Sequence, residues 1–527
     1  MGREQARSGS WRLLAAMALA SGITSVPNAA IVLAIPTLHR QFGTSLTALE
    51  WTVTGYLLTY SALLITAGRL ADVFGRVRVL TIGTALYMIA SVPGALADSS
   101  IVLIASLAAV GVGAAVLTPA SLAIVTDGFR GQRRGMAVGI WGAATALFSG
   151  IGPALGGVFT SELSWRWILW LNVIVGALIL LGVRRAAESH DERASGKIDY
   201  AGLALSFLGL GALTLSLNEA PDTWPFASAK FVIVIGAGLL LLAGFVLIER
   251  RLREPLVDPH MFRRRNLTGA SVVVFVLDFA LGAVLFFFPT YLQDLLGYNA
   301  LQAGLLLLPA SVTMMIAMPV GGRLFERVGP LPPIIGGMAM SGAAMLLLSG
   351  ISSSSRYADL WPALALLGLG IGTALTPMNL AALNSVDARN HGTVAAVITT
   401  LGGLGATFGV ALSGAVFEAV QTSRIVSDAG NRGVHLTDSV ARQLAGLLDG
   451  TPGAAATLAH YPAAQQPALR TAVHDGFISA LGSTMRLSFA LVIVAIILAL
   501  ALIRSRPVSV APRPSVAEPF SGLAPRP

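Results

Sequence analysis

One aspartate, Asp278, lies in the middle of an otherwise apolar stretch, between Val276 and Ala280. A charged residue at the centre of a membrane-spanning helix costs about 2.5–3.5 kcal/mol on insertion scales, so such a residue is a functional candidate by default. The chemistry it offers is reversible protonation, since a carboxyl group removed from water favours its neutral form. The alternative is a protonated aspartate that only hydrogen-bonds two helices together. Glu50 and Glu418, near the ends of apolar stretches, are secondary candidates.

A second candidate is a cluster of glycines and charged residues that follows an apolar stretch and returns later in the chain. Glycine permits a tight turn between closely packed helix ends. Asp72 can pair with Arg76 or Arg78, or accept hydrogen bonds from the N-terminus of a neighbouring helix. This pattern predicts a tight turn with a charged contact at helix ends; the alternative is a solvated charged loop. The first cluster contains Gly68, Arg69, Asp72, Gly75, Arg76 and Arg78, and the second contains Gly322, Arg323, Glu326 and Gly329.

A third set of residues would shape helices and a cavity. Paired glycines beside a proline let helices approach closely and bend the helix axis. Aromatic and amide side chains within apolar stretches could line a binding cavity, and ordinary packing is the alternative. The glycine motif consists of Gly139, Gly152, Pro153, Gly156 and Gly157, and the cavity candidates are Asn28, Trp141, Phe148, Phe275 and Asn379.

The elements that position these residues are apolar helices. The chain of 527 residues is 55% hydrophobic and 12% charged, whereas a soluble domain carries about 25% charged residues. Apolar stretches of about 18 residues or more, each long enough to cross a bilayer as a helix, recur with short polar breaks. They predict an all-α membrane protein with fourteen spans. The predicted spans are 11–36, 47–68, 79–97, 100–126, 136–160, 165–183, 200–218, 229–248, 267–290, 300–321, 334–352, 358–380, 394–420 and 476–503.

Several kinds of chemistry are excluded by residue type. The chain has no cysteine, which excludes disulfides, thiol nucleophiles and cysteine metal sites. The seven histidines all fall between apolar stretches, so we expect no metal site. No G-x-x-x-x-G-K-[ST] motif occurs, so we expect no nucleotide and no cofactor. The glycines of 403–409 lie inside an apolar stretch, where helix packing explains them better than a dinucleotide loop.

The distribution of charge predicts the orientation. The basic residues lie mainly in short loops, which indicates a topology signal instead of nucleic-acid binding, and the positive-inside rule then places both termini in the cytoplasm of a bacterial cell. A long outer loop is expected at 421–475, with helical spacing over 436–448. An ordered cap without a substrate role is the simpler interpretation of that loop. The tail, 504–527, is rich in proline and serine and is expected to be disordered.

An internal repeat defines the architecture. The two charged clusters are 254 residues apart (322 minus 68), and Thr118-Pro119 returns as Thr376-Pro377, 258 residues later (376 minus 118). A third, looser pattern relates 152–159 to 409–417. Three matches in the same order indicate duplication of a six-helix unit, a known transporter plan. The expected parts are an N-terminal half, 1–199, an inserted helix pair with linker, 200–266, a C-terminal half, 267–503, and the tail, 504–527.

The motifs of 68–78 and of Ser164–Val173 resemble the major facilitator superfamily, and the fourteen spans resemble its drug/proton antiporter branch. The resemblance implies a non-enzymatic, alternating-access transporter that exports amphipathic or hydrophobic small molecules, such as drugs, antibiotics or secondary metabolites, by proton antiport. It also implies that the first cluster latches the cytoplasmic side and that the glycine motif marks exporters. The expected partners are the substrate, the lipid bilayer and, if transport is coupled, protons. A channel or receptor is a further alternative.

The chain departs from this family at the usual coupling positions. The family's aspartate in span 1 corresponds to Pro27, and its arginine and glutamine in span 4 correspond to Leu107 and Val110. Coupling would then depend largely on Asp278. The alternative is an exporter of a lipid-like or metabolite substrate that is uncoupled or driven by another gradient.

Overall fold

The computed structural model describes residues 11–44, 46–129, 132–184, 186, 188, 199–219, 224, 228–252, 255, 257–298, 300–352, 355–387, 390–448 and 452–504. All regular secondary structure within these ranges is helical, which confirms the predicted all-α class. The tail expected to be disordered lies, from residue 505 onward, outside the described residues.

Seventeen α-helices of four or more residues make up the described chain. They are α1 Trp11–Ile23, α2 Val26–Phe42, α3 Leu46–Phe74, α4 Arg76–Ala95, α5 Ser100–Gly128, α6 Gln132–Val158, α7 Trp167–Val183, α8 Tyr200–Glu219, α9 Ala229–Glu249, α10 Arg265–Thr290, α11 Ala300–Val328, α12 Leu331–Leu348, α13 Tyr357–Leu383, α14 His391–Asn431, α15 Asp438–Ala445, α16 Pro452–Ala459 and α17 Gln466–Leu502. Short π-helical turns extend α6 over Phe159–Leu163 and α10 over Tyr291–Leu295, and a 3-10 turn, Pro259–Arg263, precedes α10.

Twelve of the described helices are long and apolar enough to cross a membrane. Two further apolar helices, α1 and α7, are shorter, with 13 and 17 residues. The first predicted span, 11–36, is not one helix, because the chain leaves helical geometry at Thr24 and Ser25 between α1 and α2. The count of fourteen spans stays a prediction.

The helices pack as two sets with the same internal arrangement, which we call the first bundle (α1–α7) and the second bundle (α10–α14 with α17). In the first bundle α5 packs against α3 and α4, and in the second α13 packs against α11 and α12. Likewise α4 packs against α7 as α12 does against α17, and α1 and α2 pack against α6 as α10 does against α14. The packing pairs therefore follow the sequence repeat.

The bundles meet mainly where α6 packs against α11 and where α3 and α5 pack against α14. The inserted helix α8 packs beside the second of these contacts, against both α3 and α14, and α9 packs on α8. The exposed face of α9 is apolar, including Ile233, Leu240 and Leu247, as expected for a surface that contacts lipid. The boundaries of the predicted parts at 199 and 266 stay predictions.

The predicted outer loop, 421–475, is largely helical. Helix α14 continues to Asn431 and α17 begins at Gln466, with the short helices α15 and α16 between them. With 41 residues, α14 is about 60 Å long, twice the thickness of a bilayer core. A small hydrophobic cluster around Ile425, Leu444 and Leu469 holds this cap together. The polar residues of 421–431 and 466–475 limited the sequence prediction to the apolar part of each helix.

Candidate functional site

The two repeated charged clusters lie at the same end of the molecule, which we call the latch end. Each cluster contacts the N-terminus of a helix in the other bundle. The Asp72 carboxylate on α3 accepts hydrogen bonds from the backbone N–H groups of Gly392 and Thr393 on α14, at 3.1 and 2.8 Å. The Glu326 carboxylate on α11 accepts from the backbone N–H of Gly135 on α6, at 2.9 Å. Carboxylates are favourable at helix N-termini, where backbone N–H groups have no partner within the helix.

Glycines bring the backbones of the two bundles together at this end. A Cβ atom on Gly68 would lie 2.6 Å from the Gly392 carbonyl oxygen, and one on Gly322 would lie 2.2 Å from the Gly135 carbonyl oxygen. Both distances are shorter than real Cβ atoms tolerate, so only glycine fits. Gly68 therefore serves helix packing within α3, whereas the sequence suggested a turn.

The turns that follow α3 and α11 are made by the second glycine of each cluster. Gly75 has a φ angle of 105° and Gly329 one of 80°, both in the region that favours glycine. The carboxylate of Glu188, from the segment after α7, accepts hydrogen bonds from the backbone N–H groups of Val77 and Arg78, each at 2.9 Å. Because no side chain of its own caps α4, Glu188 serves as the cap of that helix.

A network of charged side chains surrounds Asp72. The buried guanidinium of Arg76 donates to Asp72, with Nη2–Oδ1 at 2.8 Å, and also to Asp127 at the end of α5. The Nδ1 atom of His391, the first residue of α14, lies 3.1 Å from the other Asp127 oxygen. The network therefore joins three helices of the first bundle to the second bundle. We call these contacts, together with those of Glu326, the latch.

Sequence reasoning missed two members of the latch, Asp127 and His391. Asp127 directly follows an apolar span. The signal that could have identified it is that α3 and α5, which carry Asp72 and Asp127 near their C-termini, both end on the same side of the membrane in the predicted topology. His391 was assigned to a connecting segment, yet only 6% of its surface is exposed. Arg134 adds a further contact between the bundles, because its guanidinium donates to the Asn384 side chain at 2.7 Å.

The remaining basic residues of the two clusters lie at the edge of the latch. Arg69 is half-buried and Arg78 is exposed, and neither has the central position of Arg76. Arg323, in the second cluster, lies 3.6 Å from the sulfur of Met136 on α6. The pairing predicted for Asp72 therefore involves Arg76 and not Arg78.

The glycine motif of α6 serves both neighbours of that helix. Gly139 packs on the backbone of Pro319 in α11, where a Cβ would lie 2.6 Å from the Pro319 Cα. Gly156 packs on the backbone of Ala30 in α2 at the same distance. Gly152 is buried and Gly157 is half-buried, while the side chain of Pro153 lies outside the described residues.

Several hydroxyl groups lie inside the first bundle. Leu107 and Val110, where the family has charged and amide side chains, are fully buried in the hydrophobic core. Hydroxyl groups from four helices of this bundle contact one another around the interruption between α1 and α2. The contacts are Ser21–Thr145 at 2.6 Å, Thr24–Thr118 at 3.4 Å and Tyr60–Thr118 at 3.2 Å, all between side-chain oxygens.

Two of the aromatic cavity candidates pack beside these hydroxyls. The indole Nε1 of Trp141 donates to the Ser121 hydroxyl at 3.0 Å, so the hydrogen-bond donor of this tryptophan is used within its own bundle. Phe148 is half-buried, and its ring packs against Gly22, where a Cβ would lie 2.6 Å from the nearest ring carbon. The side chain of Asn28 lies outside the described residues.

In the second bundle the central polar group is Asp278. Its side chain is half-buried and lies over Gly402 of α14, where a Cβ would be 2.3 Å from the Asp278 Oδ2 atom. Within the part of the chain that the structure describes, no hydrogen bond or ion pair reaches this carboxylate. One helical turn away, the rings of Phe275 and Phe408 lie 5.8 Å apart. Asn379 is half-buried on α13.

Comparisons with known proteins agree with this geometry. The sequence profile described as Major Facilitator Superfamily matches residues 17–410. The chain is similar to the tetracenomycin C resistance and export protein of Streptomyces glaucescens, with 27% identity over 506 residues, covering 95% of this chain and 93% of that protein. It is also similar to the puromycin resistance protein pur8 of Streptomyces alboniger, with 32% identity over 407 residues, covering 76% of this chain and 80% of that protein.

Solved structures show a similar fold at low sequence identity. The human organic anion transporter MFSD10 has a TM-score of 0.57 and 14% identity, covering 91% of this chain and 99% of that chain. A bacterial homologue of the human lysosomal transporter Spinster has a TM-score of 0.54 and 17% identity, covering 94% and 100%. These structures support the fold of the two bundles and carry no information on the substrate of this chain.

Proposed function

Because the chain belongs to the major facilitator superfamily and is a transporter, not an enzyme, we propose that it exports amphipathic or hydrophobic small molecules by proton antiport. The observation that carries the proposal is the reciprocal latch, in which Asp72 and Glu326 each bind the helix N-terminus of the opposite bundle. Relatives named for resistance to puromycin and for tetracenomycin C export support the direction and the substrate class.

The latch suits alternating access because its contacts close one end of the molecule and can be broken without unfolding either bundle. To open that end, α14 must leave Asp72 and α6 must leave Glu326. Each separation exposes a carboxylate and several backbone N–H groups to water, which can replace the lost hydrogen bonds. Opening therefore costs less free energy than the number of broken contacts alone would suggest.

We place the latch end on the cytoplasmic side of a bacterial inner membrane. The residues at this end include Arg69, Arg78, Arg133, Arg323 and Arg327, and basic residues accumulate in cytoplasmic segments. In this orientation the cap formed by α15 and α16 lies outside the cell. The closed latch then corresponds to a state that faces outward.

Asp278 is the group we assign to proton coupling. It lies about 20 Å along α10 from the latch end, since thirteen residues at 1.5 Å rise separate it from Arg265. Its contact with Gly402 lies on α14, the helix whose N-terminus the latch holds. A proton bound there from outside would be released inside after the bundles have moved, while substrate travels in the opposite direction.

The surroundings of the central groups favour an amphipathic substrate. The half-buried Phe148, Phe275 and Tyr60 offer aromatic surface, and the hydroxyls around Thr118 offer hydrogen bonds without fixed charge. Such walls bind drugs, antibiotics or secondary metabolites through apolar area, with few polar contacts to set orientation. The expected partners are therefore this substrate, protons and the lipid bilayer.

A second candidate function is an exporter of a lipid-like or metabolite substrate that uses no proton. The observation in its favour is that Pro27, Leu107 and Val110 occupy the positions where the family carries its usual coupling groups in the first bundle. The two candidates differ in whether a pH gradient changes the rate of transport.

The deciding experiment uses purified full-length protein in proteoliposomes with an imposed pH gradient. A cationic dye, puromycin and a fluorescent phospholipid are tested side by side. We expect transport of the dye or the antibiotic to depend on the pH gradient, and we expect Asp278→Asn to remove this dependence. The control is Asp359→Asn, which changes an exposed carboxylate that caps α13 and should keep the dependence. Transport of any probe at the same rate with and without the gradient would support the second candidate.

A further inference from the structure

The helix interruption between α1 and α2 is stabilised by specific side chains of the first bundle. A proline cannot donate a backbone hydrogen bond, so Pro27 leaves the carbonyl of Ile23, four residues earlier, without its helical partner. The side chain of Pro27 is buried, and the chain leaves helical geometry at Thr24 and Ser25. An unpaired carbonyl at membrane depth costs several kcal/mol, so it requires a donor from elsewhere.

The fold supplies such donors from two neighbouring helices. The hydroxyl of Tyr87 on α4 donates to the Ile23 carbonyl at 3.1 Å, and the hydroxyl of Tyr56 on α3 donates to the Thr24 carbonyl. Both rings are almost completely buried, with exposed fractions of 0% and 2%. The four successive carbonyls at the interruption are therefore all paired: Ser21 with the Thr24 hydroxyl, Gly22 with the Ser25 N–H, Ile23 with Tyr87, and Thr24 with Tyr56.

The Tyr87 hydroxyl is itself held in place. It also lies 2.9 Å from the Asn172 Oδ1 atom on α7, so its single proton is shared between that oxygen and the Ile23 carbonyl. The Asn172 amide nitrogen donates to the Ser91 hydroxyl at 3.1 Å. Asn172 and Ser91 are both fully buried. A buried polar chain of this kind has no role in helix packing alone, because phenylalanine would fill the space without requiring partners.

The two arms on either side of the interruption pack on different neighbours. Helix α1 packs against α5, whereas α2 packs against α3, and both contact α6 and α7. In α6 the contact with α2 is the close approach of Ala30 to Gly156. A change in the position of α3 can therefore move α2 while α1 stays with α5.

We propose that Pro27 makes the first span a jointed helix, that α2 moves relative to α1 during transport, and that Tyr87 and Tyr56 are the positioning residues that close the joint. The inference rests on the proposed alternating access. Tyrosine hydroxyls suit this role because each can leave a carbonyl and return without a change in charge. The joint occupies the place where the resemblance to antiporters predicts a coupling aspartate, so in this chain that place serves movement.

Hydrogen exchange of the reconstituted protein tests the joint, and transport of the cationic dye tests its use. In Tyr87→Phe the Ile23 carbonyl loses its donor, so we expect amides of 24–30 to exchange about fivefold faster, the effect of one lost hydrogen bond. The matched control is Tyr291→Phe in the second bundle, a fully buried tyrosine whose hydroxyl donates to the Ser352 carbonyl at 3.4 Å, away from the joint. This control should exchange like the wild type.

A second variant acts in the opposite direction. Pro27→Ala restores an N–H donor for Ile23, so the amides of 24–30 should exchange more slowly than in the wild type, and the dye should be transported at least about fivefold more slowly at unchanged KM. The double variant Pro27→Ala with Tyr87→Phe should return exchange toward the wild-type rate, which a general loss of packing would not do.

Two results would overturn the inference. One is wild-type exchange at 24–30 in Tyr87→Phe, and the other is wild-type turnover in Pro27→Ala despite slower exchange. Failure of the proposed function has a different signature, namely no transport of any probe by the wild type. Exchange at the joint remains measurable in that case, so the two failures can be told apart.

Discussion

The two bundles share one latch geometry and differ in its chemical content. In both, a carboxylate on α3 or α11 binds the N-terminus of a helix in the other bundle. A glycine on the same helix lets the two backbones approach closely, and a second glycine forms the turn that follows. Around Asp72 the side chains of Arg76, Asp127 and His391 complete a largely buried network. Glu326 is half-buried, and its hydrogen bond is to a backbone N–H.

At the centres of the bundles it is the second bundle that carries the charged side chain. Eleven residues before Pro36 is Ser25, in the joint, and eleven residues before Pro289 is Asp278 (36 minus 25 and 289 minus 278). At corresponding depths the first bundle thus has paired carbonyls and hydroxyls, whereas the second has an uninterrupted α10 with a carboxylate. The two halves of the repeat therefore share the close approach of helix backbones at the latch. The charged network belongs to the first bundle, and the central carboxylate belongs to the second.

The largest expected effect is that of Asp72→Asn compared with Glu326→Gln. Removing one partner of a buried ion pair costs about 3–5 kcal/mol, and Asp127 stays as a second partner of Arg76, so we expect about 3 kcal/mol against the closed latch. Glu326→Gln should cost about 1 kcal/mol, the value of one hydrogen bond. Because the chain has no cysteine, spin labels at Phe74→Cys and Val328→Cys can report the distance across the latch end.

The labels should show a longer distance in Asp72→Asn than in Glu326→Gln, with dye transport reduced in the same order. Equal effects of the two substitutions would mean that the charged network around Asp72 adds nothing to the shared geometry.

Gly322→Ala should have the next largest effect, because its new methyl group would meet the Gly135 backbone, which cannot move away as a flexible side chain can. Overpacking of this kind costs about 1–3 kcal/mol. Gly336→Ala is the matched control, since a Cβ there meets nothing within 4 Å. We expect Gly322→Ala to separate the spin labels and slow transport, and Gly336→Ala to leave both unchanged; a normal latch distance in Gly322→Ala would argue against the close contact.

Glu188→Ala probes a helix cap that the first bundle has and the second lacks. Helix α12 starts among Pro330, Pro332 and Pro333, which have no N–H to cap, whereas α4 depends on Glu188. Loss of an N-terminal cap costs about 1 kcal/mol. The variant should lower the thermal stability slightly and transport by no more than a few-fold, measured by melting of the purified protein and by dye transport; an unchanged melting temperature would show that Glu188 does not hold α4.

The smallest effect is expected in the outer cap. Arg432 donates to Asp475 at 3.0 Å and joins the extended ends of α14 and α17, but both side chains are partly exposed. Such surface pairs contribute about 0.2–1 kcal/mol. Arg432→Ala should therefore leave dye transport at the wild-type rate, and a marked loss would indicate a role of the cap in transport.

The sequence allowed the helical class, the family resemblance and the two charged clusters to be predicted, because apolar length and glycine spacing are visible in one chain. The partners of the clusters were not visible. Asp72 and Glu326 bind backbone N–H groups at Gly392 and Gly135, and backbone groups have no residue signature. The joint was also missed. Pro27 lies near the middle of an apolar stretch and indicates a helix break, but the sequence does not show which side chains pair the freed carbonyl.

Proton movement driven by substrate is the most direct test of whether Asp278 couples export to protons. Proteoliposomes of known orientation contain a pH-sensitive dye and receive a gradient of a transported compound without any imposed pH gradient. We predict that the wild type moves protons against the direction of the substrate and that Asp278→Asn moves substrate without them. Equal proton movement in both proteins would contradict the assignment of Asp278, and none in the wild type would contradict antiport itself.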